Sequence, residues 1–96
     1  MATRKMRVSD EAVVETILQL CAAADVDDLV RPEDVAMTLV TEDWQWLLKR
    51  IRLTARQLAE VGLIDIVRKG ERVDPDDFKG VYRLRITKAF FEQPIE

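Results

Sequence analysis

The amino-acid sequence predicts a small α+β domain in which three helices precede a β-hairpin. Up to Gly62, apolar residues recur at helical spacing in segments that open on helix-start signals. Beyond Gly62 the residues become β-branched and then alternate between apolar and polar, as in half-buried strands. The chain has 96 residues, 48% hydrophobic and 34% charged. It can therefore bury one core, and it is too apolar for a disordered protein.

Two short helices are expected in the first part of the chain. Ser9 has a hydroxyl that can cap the first helix, which should end near Ala24. Pro32 suits the first position of the second helix, because a helix leaves its first N–H groups unpaired and proline has none. The second helix should run through Leu39.

The third helix is expected to be amphipathic. Thr41 can cap it, so that it starts two residues after the second helix ends, and Gly62 can terminate it in the left-handed conformation. One face of the helical wheel is apolar. The opposite face is polar and basic and consists of Gln45, Lys49, Arg52 and Arg56.

The strands are expected at Leu63–Val67 and Val81–Ile86. Arg68–Glu71 should form a tight turn, and Asp74 with Pro75 marks a loop. The two strands are expected to pair as a hairpin whose tip is the connection between them.

This order of elements is typical of a winged helix-turn-helix domain. We expect the domain to cover residues 9–86, between a basic N-terminal tail of residues 1–8 and a C-terminal tail of residues 87–96. Apolar positions of the predicted elements should form its core: Val13, Ile17, Leu18, Cys21, Val35, Leu39, Trp44, Leu47, Leu48, Ile51, Leu58, Ile64, Ile66, Tyr82, Leu84 and Ile86.

Several segments resemble an uncharacterised bacterial winged-helix family, a domain of unknown function. The resemblance covers residues 9–86 and implies a winged-helix fold and a bacterial source, but no reaction, ligand or binding residues. The segments that carry it are Arg31–Ala36, Asp43-Trp44, Lys49–Arg52, Leu58–Gly62, Arg68–Gly70, Asp74-Pro75 and Lys79–Leu84.

The distribution of charge suggests a nucleic-acid interface. The net charge is −3, but residues 44–72 hold seven basic and three acidic side chains, a local balance of +4. Because a winged helix places its third helix beside the wing, the basic groups of both could meet double-stranded DNA. The candidate DNA-binding residues are Gln45, Lys49, Arg50, Arg52, Arg56, Arg68, Lys69 and Arg72.

Two considerations oppose this hypothesis. Any exposed helical face needs charged residues for solubility, and arginine is a good helix former. Glu33 and Asp34 open the second helix, where they would repel phosphate, and the chain has no Asn to read adenine. The leading hypothesis is binding of double-stranded DNA with modest affinity by a dimer, as in a transcriptional regulator. If four to six cations contact phosphates, a plot of the logarithm of the binding constant against the logarithm of salt concentration should have a slope of about −3.5 to −5.5 per protomer.

The alternative is a protein-interaction module, most simply a homodimer, without nucleic-acid binding. Trp46 and Leu53 fall beside the basic stripe of the third helix rather than with its core residues, and large apolar side chains there favour a contact. The aromatic pair of the C-terminal tail could extend this contact. The candidate interface residues are Trp46, Leu53, Phe90 and Phe91.

Enzymatic activity is not expected. The chain has no His, and Ser9 is its only serine, so hydroxyl and thiol nucleophiles lack a histidine base. Asp74, Asp76 and Asp77 do not form a calcium loop, and no cofactor or metal site is expected. With one cysteine, no export signal and no membrane-spanning stretch, the protein is expected in the cytoplasm.

Overall fold

A computed structural model describes residues 8–24 and 29–91 of the chain. Within these ranges the protein has four α-helices and one three-stranded antiparallel sheet, which confirms the predicted α+β class. The elements are α1 (Asp10–Ala23), α2 (Pro32–Leu39), α3 (Leu48–Glu60), β1 (Ile64–Arg68), β2 (Glu71–Arg72), β3 (Arg83–Ile86) and α4 (Lys88–Phe91).

The ends of α1 and α2 follow from local sequence signals. Ser9 caps α1 as predicted, because its hydroxyl accepts a hydrogen bond from the Ala12 amide at 3.0 Å. Pro32 occupies the first turn of α2, as expected. The carboxylate of Asp34 accepts a hydrogen bond from the Arg31 amide at 3.1 Å, so this side chain satisfies a backbone donor at the start of α2.

The start of the third helix was predicted wrongly. Thr41 does not cap it; residues 41–43 are irregular and Trp44–Leu47 form a 3₁₀ turn before α3 begins at Leu48. Asp43 adopts the left-handed conformation with φ 55°. Aspartate tolerates this conformation better than most residues, so the chain turns at Asp43 instead of entering a helix after Thr41. The predicted end is confirmed, since Gly62 follows α3 with φ 86°.

The central strand of the sheet is β1. It pairs with β3 in the register Ile64↔Ile86, and a tight turn at Lys69 and Gly70 returns the chain into β2 on its other side. Both turn residues have positive φ, as two-residue hairpin turns often require. The expected pairing of β1 with β3 is therefore present. The segment that connects these two strands contains β2, which pairs with the other edge of β1.

Another segment reaches the sheet from before α2. Val30 and Leu84 exchange two backbone hydrogen bonds, of 3.0 and 2.8 Å, in an isolated antiparallel bridge. Leu84 thereby joins Val30 on one side and Ile66 of β1 on the other.

The core lies between the helices and the sheet. Most predicted core residues are buried there, but Leu18, Leu39, Trp44, Leu48 and Ile86 are only partly buried against it. The sequence-based list omitted several residues that the structure buries: Val30, Ala36, Ala55, Val67 and Phe78. Phe78 was missed because its neighbours in sequence are polar and its contacts come from α3 and Tyr82.

Candidate nucleic-acid interface

The solvent-exposed face of α3 and of the 3₁₀ turn before it carries polar side chains and one large apolar side chain. Gln45 and Lys49 are exposed, and Lys49 forms no ion pair with any residue in the described ranges. Leu53, one helical turn beyond Lys49, is 51% exposed. This face can therefore offer a lysine, an amide side chain and a leucine to a binding partner.

Arg52 lies across two aromatic rings. Its guanidinium carbon is 4.1 Å from the centre of the Phe78 ring and 5.5 Å from that of Tyr82, and the two rings meet edge to face at 5.0 Å. The guanidinium also donates a hydrogen bond to the Phe78 carbonyl. Arg52 thus holds the loop before β3 against α3 by cation–π and hydrogen-bond contacts. This cluster was not predicted; two aromatic residues four apart in a polar loop were its only sequence signal.

Arg56 is paired with acidic groups. Its guanidinium lies 2.9 Å from Asp76 of the loop and 3.5 Å from Glu60, one turn along α3. The Asp76 carboxylate forms hydrogen bonds with Glu60 and Arg56, which lower the pKa of Asp76. The hydrogen bond between Glu60 and Asp76 is also the main cause of the raised pKa of Glu60. All these groups are exposed, so water screens the ion pairs and another anion can exchange with the carboxylates.

Arg50 and Arg68 also have partners. Arg50 forms a 2.9 Å ion pair with Asp10 in the first turn of α1. Arg68 donates from Nε to the Val81 carbonyl at 3.0 Å. A Cβ on Gly80 would lie 3.2 Å from the Arg68 guanidinium, and Gly80 has φ 75°, so glycine suits this close approach.

The remaining basic candidates lie around the tight turn. Lys69 is exposed at the turn itself. Arg72 is exposed too, but it lines a separate cavity of about 400 Å³ with Asp65 and Thr87, near the end of α3. The structure therefore groups Arg72 with the residues that follow α3, and not with those around Lys49.

A groove adjoins the basic face of α3. It has a volume of about 430 Å³ and runs between the start of α2, α3 and the residues that lead into β3. Val81 is 72% exposed at its wall. Because Lys49 lines the same groove and Arg68 binds the Val81 carbonyl, basic groups from α3 and from β1 meet around Val81. The lining residues are Pro32, Glu33, Leu48, Lys49, Arg52, Gly80, Val81 and Tyr82.

The four candidate protein-interface residues are not equally exposed. Leu53 is exposed, whereas Trp46 is half-buried against the core and has a contact partner. Phe90 is partly buried in α4 and also has a contact partner. The backbone of Phe91 belongs to α4, but its side chain lies outside what the structure describes. Leu53 is therefore the position among these four that best tests a contact.

Within residues 8–24 and 29–91 no cluster of His, Cys, Asp or Glu could hold a metal ion. Cys21 is buried in the core, and desolvation raises the pKa of its thiol to about 12. None of the helices in the described ranges has the length and apolar character needed to cross a membrane.

Comparison with known families matches one family over α1, α2, α3 and the sheet. The family model "Protein of unknown function (DUF3253)" matches residues 10–87. The chain belongs to this family. The DUF3253 match extends from the first residue of α1 to the end of β3, so it includes the groove and the basic face of α3. No curated protein matches the chain. Because the DUF3253 description assigns no activity, function must be argued from the surface.

Proposed function

We propose that this DUF3253 chain is a winged-helix domain of bacterial origin that binds double-stranded DNA with modest affinity. Support for the fold comes from the order of three helices followed by β1, the short β2 and β3, and from the bridge that Val30 adds to the sheet. In winged helices the third helix enters the major groove and the hairpin contacts the DNA backbone. Here α3 and the turn after β1 would take these two roles.

The observation that carries the DNA proposal is the meeting of basic groups around Val81. Lys49 of α3 lines the same groove as Val81, while Arg68 of β1 donates to the Val81 carbonyl and is followed by exposed Lys69. Gln45 is exposed just before α3 and has an amide that can read a base edge. Two elements distant in sequence thus direct cations toward one part of the surface.

The contacts within the protein favour fewer phosphate contacts than the sequence suggested. Arg52 and Arg68 donate to the Phe78 and Val81 carbonyls, and Arg50, which is less exposed than Arg56, pairs with Asp10. We therefore assign the phosphates to Lys49 and to the exposed Lys69 that follows Arg68. Arg56 is a third candidate, because water screens its exposed pair with Asp76, which can therefore give way to phosphate. Two or three contacts give a salt slope of about −1.8 to −2.7 per protomer.

We therefore expect DNA binding that weakens about 12- to 40-fold between about 50 and 200 mM salt. The measurement is fluorescence anisotropy of a labelled mixed-sequence duplex at both concentrations. Lys49→Ala should weaken binding at the lower salt and make the slope less negative by about 0.9. Lys88→Ala, at an exposed position in α4, is the matched control and should leave both the affinity for DNA and the salt slope unchanged. Absence of binding at the lower salt, or a flat salt response, would refute the proposal.

A homodimer contact is the second candidate function, and the apolar exposure of this surface favours it. Leu53 is 51% exposed on α3, and Val81, which lines the groove, is 72% exposed. If they pack against a second copy, Leu53→Glu should convert a dimer to a monomer in sedimentation velocity. The melting temperature should change little, because surface substitutions usually alter stability by under about 0.5 kcal/mol.

Gln57→Glu provides the control for the homodimer experiment. It adds the same charge at another exposed position of α3, one turn beyond Leu53, and should leave the dimer intact. A wild-type protein that sediments as a monomer at all concentrations tested would contradict the homodimer, as would a Leu53→Glu variant that still assembles.

A further inference from the structure

The groove beside α3 has walls of mixed chemistry. Pro32 of α2, Leu48 of α3 and the two residues Val81 and Tyr82 provide apolar surface. Tyr82 is 6% exposed and is held in place by Phe78 and Arg52, so this wall is fixed by packing. A volume of about 430 Å³ is within the range of small-molecule sites, which are mostly apolar with a few placed polar groups.

The charged groups of the groove are arranged asymmetrically. Lys49 and Arg52 line it from α3, and Glu33 lines it from α2. Arg52 already contacts two rings and the Phe78 carbonyl, whereas Lys49 has no ion pair with a described residue. The groove therefore carries a net charge of one positive unit and has an available ammonium on its α3 side.

We propose that this groove binds a small monocarboxylate with an apolar aromatic or aliphatic body. The body would cover Leu48, Val81 and Tyr82, and the carboxylate would pair with Lys49. Glu33, which lines the groove from α2, would repel a second negative charge, so the site selects against dicarboxylates. This inference does not rest on DNA binding, and its test contains no nucleic acid.

The experiment uses naphthylacetate as the probe and naphthylacetamide, which has the same rings without the charge, as the matched comparison. Each is titrated into the ¹⁵N-labelled full chain. Naphthylacetate should saturate the amide shifts around Lys49, Gly80 and Val81. Naphthylacetamide should bind about fivefold more weakly, since the ion pair at the groove contributes about 1 kcal/mol. Equal binding of the two probes would overturn the monocarboxylate assignment.

Substitutions then locate the site. Lys49→Ala should weaken the binding of naphthylacetate about fivefold, so that naphthylacetate and naphthylacetamide bind this variant with similar affinity. Val81→Glu should abolish binding, because it places a carboxylate at the apolar wall. Glu33→Gln should strengthen binding, and Lys88→Ala, at an exposed position in α4, should leave it unchanged. Absence of saturable shifts in the wild-type protein, or shifts centred on Gly62 and Thr87 at the other cavity, would overturn the proposal.

Discussion

Ile51→Glu should unfold the domain. Ile51 is fully buried in the first turn of α3, where a glutamate would lose its hydration without gaining a cationic partner. Removing a carboxylate from water or forcing it to protonate costs several kcal/mol, and the lost apolar packing adds to this cost. Small domains have only about 5 kcal/mol of stability in reserve, so the variant should lack a cooperative thermal transition in far-UV circular dichroism.

The control for Ile51→Glu lies in the same helix. Leu53→Glu adds the same charge two positions away, where the side chain is 51% exposed, and should melt cooperatively near the wild-type temperature. A cooperative melt of Ile51→Glu within a few degrees of wild type would show that α3 does not pack as described.

Phe78→Ala should destabilise the domain by about 3 kcal/mol. The Phe78 ring is 7% exposed, meets the Tyr82 ring edge to face and lies under the Arg52 guanidinium. Its removal leaves a cavity and takes a cation–π partner from Arg52, and large-to-small core changes of phenylalanine cost about 3–5 kcal/mol. For a domain of this size the melting temperature should fall by about 12–24 °C.

Two further variants separate the effects of volume and of the ring. Phe78→Leu retains apolar volume but removes the ring, so it should cost about 1 kcal/mol, mainly from lost aromatic and cation–π contacts. Lys79→Ala changes the next residue, which is exposed, and should leave the free energy of unfolding unchanged within about 0.5 kcal/mol. If urea titration shows Phe78→Ala to cost less than about 1 kcal/mol, the loop does not contribute its ring to the core.

The parts of the fold that could be predicted depend on nearby residues. Ser9 bonds a residue three positions away, Pro32 suits a helix start by its covalent structure, and Gly62 adopts a positive φ at little cost. The start of α3 was missed because Asp43 and Thr41 are both acceptable turn or cap residues. Local preference did not distinguish between them, and the structure places the 3₁₀ turn after Asp43.

The charged candidates illustrate a different limit of sequence reasoning. Arginine spacing places Arg52 and Arg56 together on α3, but the loop residues that they contact lie 26 and 20 residues further along the chain. Helical periodicity carries no information about such partners, because they depend on how the loop before β3 returns to α3. The positions of the two arginines on α3 could be predicted from the sequence. Whether each guanidinium is free to bind a partner could be seen only in the tertiary structure.

The bridge between Val30 and Leu84 bears on how the protein folds as it leaves the ribosome. Leu84 joins the segment before α2 to the central strand, so the sheet is incomplete until nearly all of the domain has been synthesised. Contacts over such long sequence separations slow folding, because the chain must close a large loop before it gains their stabilisation. Until β3 is synthesised, the surfaces of α1 and β1 that pack against it stay exposed in the nascent chain, and exposed apolar surface favours aggregation.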